Sequence, residues 1–549
     1  MTIESVLALA RPCIRTLEPY STARDECGVA RPEVFLDANE SPYDNGLNRY
    51  PDPRQKTLKG KLASIKGISP DSLFLGNGSD EAIDLLFRVF CVPGADNAVA
   101  ITPSYGMYGV AAGMNDVEFR QVRLREDFTL DSDALLDSCD EHTKLIFICS
   151  PNNPTGNVFP EEKIAFLLGQ FHGVVVLDEA YIDFSSTPSL ISLLDDYPNL
   201  VVLQTLSKAW GMAGLRIGLA IARPEIVSLM SKVKYPYNLN ILSQQMALSK
   251  LDETRLSRRV SEVIAQRIRL ARELPNCPSV KRIYPSEANF LLVRFDEPDA
   301  MYQRLLDAGV IVRNRSRVPG CEGCLRITVG TPAENDRLLE ALGMDLPQPS
   351  TETKVLGGRH AFVRRVTRET SVLLDLNLDK PGLSDISTGL PFLDHMLEQI
   401  PHHGGVSLRV KADGDLEVDE HHTMEDVAIA LGEALSAALG DKRGIGRYGF
   451  ALPMDDCDAL VLLDFGGRTD FRWMVDYDRE SVGGIPAEMF RHFFQSLCSG
   501  ARCNLHIEAR GENAHHKTEA IFKAFARSLR MAVAQSPFPY EIPSSKGVL

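Results

Sequence analysis

Val201-Val202-Leu203-Gln204-Thr205-Leu206-Ser207-Lys208-Ala209-Trp210-Gly211 carries an apolar, β-branched run straight into a lysine. The same shape occurs upstream, where Val174-Val175-Val176-Leu177 ends on Asp178-Glu179-Ala180-Tyr181. It occurs once more where Leu145-Ile146-Phe147-Ile148 leads to Pro151-Asn152-Asn153-Pro154-Thr155-Gly156. Short continuous apolar runs read as strands buried on both faces. Their alternation with helix-period segments from about residue 55 to 340 predicts an α/β domain around a mostly parallel sheet. In such sheets ligands sit at the carboxyl ends of the strands, where these polar residues fall. Farther on, Glu253 to Glu273 has the periodicity of one long amphipathic helix, followed by strands at Ala288–Phe295 and Leu325–Val329. This predicts a second, smaller α+β lobe.

The 549 residues exceed what one core usually organises, so more than one domain is expected. Net charge −15 and pI near 5.4 argue against a nucleic-acid or acidic-membrane binder, so an anionic ligand must be met by placed Arg or Lys. The apolar run Val6–Ala10 is too short for a secretory segment, and no run has a membrane-spanning length. Eleven scattered cysteines point to reduced thiols and a cytoplasmic location. Cys321-Glu322-Gly323-Cys324 has C-x-x-C spacing but no second pair, and is read as inert.

The strand ends suggest their own chemistry. Lys208 can form a Schiff base, Asp178 can keep a pyridinium nitrogen protonated, and the amide-bearing turn after Pro151 can reach a ring oxygen. Gly76-Asn77-Gly78-Ser79-Asp80-Glu81 opens a helix whose amides suit a phosphate.

Between Met344 and Gly358 periodicity is lost and Pro, Ser, Thr and Gly gather, so residues 346–357 are read as a linker between domains 1–345 and 358–549. The last domain reads as strands (Thr370–Leu378, Val406–Ala412), a helix from Pro391 and a helix opened by His421-His422-Thr423-Met424-Glu425. The plan then repeats around Asn504–Ala509 and His515-His516-Lys517-Thr518-Glu519. It is an α+β domain built from a duplicated sheet-and-helix unit.

Ten of the twelve histidines lie between His360 and His516. On a helix, residues three and four apart share a face, so each Glu lies below its His pair while the adjacent imidazoles diverge by roughly 100°. Diverging imidazoles can serve two metal ions. A third imidazole per site is expected from His395 and His506, giving two sites with open positions for water or substrate. His360, His402, His403 and His492 are read as surface or core-edge residues.

Taken together, the N-terminal strand-end motifs resemble fold-type I pyridoxal-phosphate aminotransferases, and in detail the histidinol-phosphate aminotransferase family, over residues 1–345. Asn39-Glu40-Ser41-Pro42, Pro103-Ser104-Tyr105-Gly106-Met107-Tyr108 and Cys324-Leu325-Arg326-Ile327-Thr328 belong to the match. The resemblance implies that Lys208 holds pyridoxal phosphate and moves the proton, that Asp178 pairs with the ring nitrogen, and that Tyr181 and Asn153 face the ring oxygen. It further implies that Tyr105 stacks on the ring and that Ser79, Asp80, Thr205, Ser207 and Arg216 surround the cofactor phosphate. Arg326 would anchor the substrate anion with Arg313 and Tyr20 beside it, and Tyr50 would reach in from a neighbouring subunit. Trp210 stands where the family pattern has Phe. A threonine-phosphate decarboxylase is the alternative reading on the same fold.

Residues 358–549 look like imidazoleglycerol-phosphate dehydratase, on Leu393-Asp394-His395-Met396-Leu397, both His-His clusters, Pro453-Met454-Asp455 and Pro543-Ser544-Ser545-Lys546-Gly547. Asp456, Asp458 and Gly466 depart from the family pattern. The resemblance implies two manganese ions, held by His395, His421, His422, Glu425, His506, His515, His516 and Glu519, that bind both nitrogens of an imidazole and let its side chain lose hydroxide. Glu369, Glu425 or Glu519 would act as acid or base. Arg447, Arg468, Ser545 and Lys546 would hold the substrate phosphate near Gln399. A metal-dependent assembly module without catalysis is the alternative. Both domains would then handle phosphorylated imidazole substrates, with glutamate as amino donor and no nucleic acid or membrane. They would work as a homo-oligomer that combines dimer contacts with the dehydratase family's large assembly.

Overall fold

The computed structural model describes residues 1–19, 34–345, 350–367, 369–416, 419–449, 452–454, 456–535 and 543. The chain divides into two compact units, Met1–Asp345 and Leu346–Leu549.

In the first unit β1 (Leu73–Asn77), β2 (Asn97–Thr102), β3 (Glu118–Arg123), β4 (Thr143–Cys149), β5 (Val174–Asp178), β6 (Leu200–Thr205) and β7 (Ile217–Ala222) form one sheet, ordered β1-β7-β6-β5-β4-β2-β3. Strands β2 to β6 are parallel, and β7 is antiparallel to both neighbours. The expected strands are therefore present, and the reason for their unbroken apolarity is visible. Val174 and Val176 pack into one core layer while Val175 and Leu177 pack into the layer on the other face. Cys149 and Asp178 stand side by side in the register of β4 and β5, at the carboxyl edge of the sheet. Trp210 is buried in the core just beyond β6, a role a Phe could also fill.

Helix α1 (Ser79–Phe90) follows β1, and α2 (Glu253–Glu273) runs the length expected from its periodicity. The smaller antiparallel sheet contains β8 (Val280–Tyr284), β9 (Phe290–Phe295), β10 (Arg313–Asn314) and β11 (Cys324–Thr328), ordered β10-β11-β9-β8.

The second unit opens with a correction. Within residues 346–357, read from the sequence as a linker, Ser350–Val355 forms β12, paired antiparallel with β13 (His360–Val366). Its burial is low throughout, so no apolar alternation marks it in the sequence; backbone pairing alone makes it a strand. The sheet continues through β14 (Thr370–Asn377), β15 (Ser384–Ser387) and β16 (Ser407–Gly414), ordered β12-β13-β14-β16-β15. A second sheet follows with β17 (Tyr448–Gly449), β18 (Leu452–Met454), β19 (Cys457–Asp464) and β20 (Asp470–Val475). A short hairpin, β21 (Ser481–Val482) with β22 (Ile485–Pro486), precedes the last strand, β23 (Asn504–Arg510), which lies between β19 and β20.

The duplication is plain in the pairing. β14 is antiparallel to β16 while β15 runs parallel to it; β19 is antiparallel to β23 while β20 runs parallel to it. Helices α3 (Pro391–Gly404) and α4 (His421–Leu439) belong to the first half, α5 (Glu488–Ala501) and α6 (Ala514–Val533) to the second. They pack across the halves, α3 on α6 and α4 on α5, in one shared core. Gly432 permits the second contact: a Cβ there would lie 2.5 Å from the Leu497 carbonyl oxygen and 2.6 Å from the Ala501 nitrogen. Among the described residues no helix is long and apolar enough to cross a membrane.

Candidate cofactor pocket and metal clusters

The ten residues expected around the cofactor, Ser79, Asp80, Tyr105, Asn153, Asp178, Tyr181, Thr205, Ser207, Lys208 and Arg216, line a single cavity with Gly78, Cys149 and Ala180. The chain reaches this point from the carboxyl ends of five strands and from the start of β7. Gly78, at φ +78°, precedes α1 and donates its N–H to the Arg216 carbonyl at 2.8 Å. A Cβ on Gly218 would lie 2.0 Å from the Ser79 nitrogen, so β7 and the start of α1 approach as only glycine allows. The free amides of a helix start, the Ser79 and Ser207 side chains and the Arg216 guanidinium make this end fit a phosphate. Arg216 meanwhile pairs with Asp80 at 3.3 Å.

At the other end Asp178 is buried, which pushes its carboxyl upward; a hydrogen bond from the Tyr108 hydroxyl to Oδ2 at 2.7 Å and one from the Ala180 N–H to Oδ1 at 3.1 Å oppose that push. Tyr108 carried no expected role, although it lies in the quoted Tyr105-to-Tyr108 motif. Tyr105 and Tyr108 rise from the start of one short helix, Met107–Met114, and the turn before it. Tyr105 bonds Asp80 at 3.0 Å while Tyr108 stacks on Phe147 and reaches Asp178. Burial, then the charge of Arg326, lowers the Lys208 pKa, partly offset by Asp178. Its Nζ sits 5.4 Å above the Tyr181 ring. Asn153 donates to the Tyr181 hydroxyl at 3.4 Å and accepts from Arg326. A lysine with a lowered pKa, a buried carboxylate and a phosphate cradle fit pyridoxal phosphate.

Arg313 and Arg326 face each other in the β10–β11 register. Tyr50 does not line the cavity; it is exposed and stacks on Tyr237 at 4.5 Å. Tyr20 lies outside the described residues. Cys321 and Cys324 are buried, with Cys321 pushed up to about 12 chiefly by burial, and they join no metal-capable group among the described residues.

In the second unit the helix crossings build two matching groups. His395, His515 and Glu519 form one; His421, Glu425 and His492 form the other, with ligand atoms in each within 4.8 Å of one another. His515 Nε2 lies 3.6 Å from Glu519, His421 Nε2 3.7 Å from Glu425, and His492 Nε2 3.6 Å from Glu425. The buried His492 Nε2 makes no hydrogen bond, as suits a lone pair kept for a cation. Each group offers two imidazoles and a carboxylate, a donor set that fits a divalent transition metal.

Two expectations change here. His506, expected as a third ligand, instead hydrogen-bonds Asp470 across β20 and β23 at 2.9 Å. His492, read as a surface or core-edge residue, stands with His421 and Glu425 instead. The signal was in the repeat: His395 stands twelve residues before Ser407, where β16 begins, and His492 twelve before Asn504, where β23 begins (407 − 395 = 504 − 492).

The second imidazole of each pair turns away from its own group, with interplanar angles of 78° for His421/His422 and 85° for His515/His516. His422 Nδ1 is held by Asp415 at 3.1 Å, which raises the imidazole to about 9. His516 Nδ1 is held by Asp456 at 2.6 Å. Asp456, one of the departures from the family pattern, thus anchors an expected metal ligand.

The remaining expected residues separate. Gln399 lines a cavity with His395 and Glu519 and donates to the His395 carbonyl at 3.0 Å. Glu369 is half-buried and close enough for its charge to favour the His422 imidazolium. Arg447 forks onto Asp464 at 2.6 and 3.1 Å and also bonds the Pro543 carbonyl. Arg468 is exposed. Ser545 and Lys546 lie outside the described residues.

Comparison with known proteins follows this division. Residues 27–342 match the family of aminotransferase class I and II, and residues 388–529 match imidazoleglycerol-phosphate dehydratase. The chain is 56% identical over 336 residues to a histidinol-phosphate aminotransferase of Parabacteroides distasonis, covering 61% of this chain and 97% of that protein. It is 48% identical over 335 residues to one of Flavobacterium psychrophilum, covering 61% and 97%. Among solved structures it is similar to the histidinol-phosphate aminotransferase of Clostridium acetobutylicum, with TM-score 0.50, 25% identity and coverage of 54% of this chain and 90% of that one. It is also similar to that of Sinorhizobium meliloti in complex with pyridoxal-5'-phosphate, with TM-score 0.50, 26% identity and coverage of 54% and 82%.

Proposed function

The chain belongs to the aminotransferase class I and II family, and on that premise we propose that it joins two consecutive steps of histidine biosynthesis. Residues 358–549 dehydrate imidazole-glycerol phosphate to imidazole-acetol phosphate. Residues 1–345 then transfer an amino group from glutamate to that ketone, giving histidinol phosphate and 2-oxoglutarate. The observation that carries the reading is the presence on one chain of a complete lysine pocket and a duplicated imidazole–carboxylate module that would act on the same ketone.

Pyridoxal phosphate, when bound, supplies an electron sink for the carbon that loses its proton. The chain's own residues do the rest. Lys208, its pKa lowered by burial and Arg326, is the group that takes and returns that proton. Tyr108 and Ala180 fix the Asp178 carboxylate, which would pair with a ring nitrogen, and Asn153 with Tyr181 would hold the ring oxygen. Arg326 and Arg313 receive the substrate anion, and Tyr50 serves the neighbouring subunit's site.

Two manganese ions, when bound, would favour loss of the ring proton, so that the substrate imidazole reacts as an electron-rich imidazolate and expels the side-chain hydroxyl. His395, His515 and Glu519 hold one, and His421, Glu425 and His492 the other. His422 and His516, aimed away from these groups and fixed through Nδ1, complete the sites of neighbouring copies, which makes assembly a condition of dehydration. Glu369 beside His422 is the acid/base at the reacting carbon. The location is cytoplasmic.

The test supplies the purified chain with pyridoxal phosphate, manganese, imidazole-glycerol phosphate and glutamate. Histidinol phosphate is expected only when metal and glutamate are both present, and Lys208→Ala should stop the sequence at the ketone. Absence of ketone formation refutes the dehydratase half; ketone formation without amination refutes the other.

A further inference from the structure

Three guanidinium groups, Arg313, Arg315 and Arg326, share one face of the small sheet. Arg313 is opposite Arg326 in the β10–β11 pairing, and the Arg315 N–H bonds the Cys324 carbonyl at 2.9 Å, extending the pairing by a residue. Residues two apart on a strand point the same way, so Arg315 falls on the side of Arg313 and Arg326. Among the described residues no carboxylate pairs with any of the three, and the buried Nε atoms of Arg315 and Arg326 have no hydrogen-bond partner. Burial, then the charges of Arg326 and Arg313, presses the Arg315 guanidinium down, opposed in part by Cys321 and Tyr181. A cationic group of this kind without a counter-charge calls for an anion from outside.

The three differ in depth. Arg326 touches Asn153 in the cofactor cavity, and its charge is felt by Lys208. Arg315 lines an adjoining cavity that shares Tyr105 and Asn153 with the cofactor's, and is not among the residues lining the cofactor cavity itself.

Under the reading proposed above, on which this inference rests, the unit must accept two anions at unequal distance from one reacting carbon. In glutamate the carboxylate is attached directly to that carbon. In histidinol phosphate the phosphorus lies beyond a methylene and an ester oxygen, and the group carries about −1.5 to −2 charge. We infer that Arg315 is the specificity residue for the phosphate monoester, holding its outer oxygens beyond the reach of the carboxylate that Arg326 and Arg313 receive. Arg315 thereby lets one pocket alternate between a short monoanion and a longer dianion.

The two half-reactions separate the roles. With the pyridoxal-phosphate holoenzyme, Arg315→Gln is expected to lower kcat/KM for histidinol phosphate at least tenfold, mostly through KM, and to change the glutamate half-reaction less than threefold. By calorimetry, wild type should bind histidinol phosphate more tightly than histidinol, and Arg315→Gln should narrow that difference while Arg315→Lys restores part of it. Cofactor absorbance and melting temperature equal to wild type establish that the variants are folded. Equal losses with both substrates, or none with either, overturn the inference while leaving the transaminase reading in place. A wild type that does not transaminate histidinol phosphate overturns the reading and the inference together.

Discussion

Replacing Tyr108 with Phe removes the buried oxygen that bonds Asp178 behind the wall of the cofactor pocket, and little else. The ring is buried, stacked on Phe147 at 4.8 Å and edge-on to Tyr105 at 5.6 Å, and Phe keeps both contacts. What is lost is the 2.7 Å hydrogen bond to Asp178 Oδ2, leaving the Ala180 N–H as the remaining donor to this carboxylate. A hydrogen bond to a charged group contributes about 1.5–3 kcal/mol. At roughly 1.4 kcal/mol per factor of ten, its loss lowers the affinity of the ionised pocket for a pyridinium by about 10- to 100-fold. The sign is set by burial, which already raises the Asp178 pKa; without Tyr108 it rises further, so the acid limb of activity moves to higher pH. Pyridoxal-phosphate affinity measured by fluorescence, and kcat/KM followed from acid to neutral pH, report the two effects. A Tyr108→Phe protein with wild-type cofactor affinity and an unmoved acid limb would refute the assignment of Tyr108 to Asp178.

Further outcomes concern the second unit. His492→Asn should release about half of the bound metal, read by elemental analysis, and lower dehydration by two orders of magnitude or more, whereas His506→Asn should keep both metals; equal losses would return His506 to the site. Gly432→Ala places a methyl against the Leu497 carbonyl at 2.5 Å. It should destabilise the second unit by about 1–3 kcal/mol, read as a lower melting temperature of the apo protein. In protein stripped of metal, Asp415 raises His422 from 6.5 to about 9, so the pair's stabilisation is complete below pH 6.5 and is lost as pH rises through about 9. Thermal melts across that range should decline for wild type and flatten for Asp415→Asn.

Wherever local chemistry decides an element, its residues announce it. Val174–Leu177 and Val201–Leu203 are apolar on both faces because both faces are covered, and α2 occupies Glu253–Glu273 because its apolar periodicity persists over that length. Lys208, Asp178 and Asn153 are legible for the same reason, since each stands just beyond such a strand, whereas Tyr105 and Arg216 are marked only by the family resemblance. β12 was not, because an exposed strand carries no apolar alternation. Tyr108 was quoted without a role, since nothing in a Gly-Met-Tyr step says which way its hydroxyl points.

The sequence by itself determined the two units, the strand-end lysine pocket and the duplicated His-His-x-x-Glu clusters, because these rest on periodicity and on residues near one another in the chain. Only the tertiary structure decided which imidazoles belong together. Each metal-capable group takes its helical His and Glu from one half of the duplicated domain and its other His from the opposite half. That choice is made by the packing of α3 on α6 and α4 on α5, where a shared core and the close approach at Gly432 set the crossing. Burial of apolar area at long range has no signature in the spacing of histidines, and so His492 rather than His506 meets Glu425.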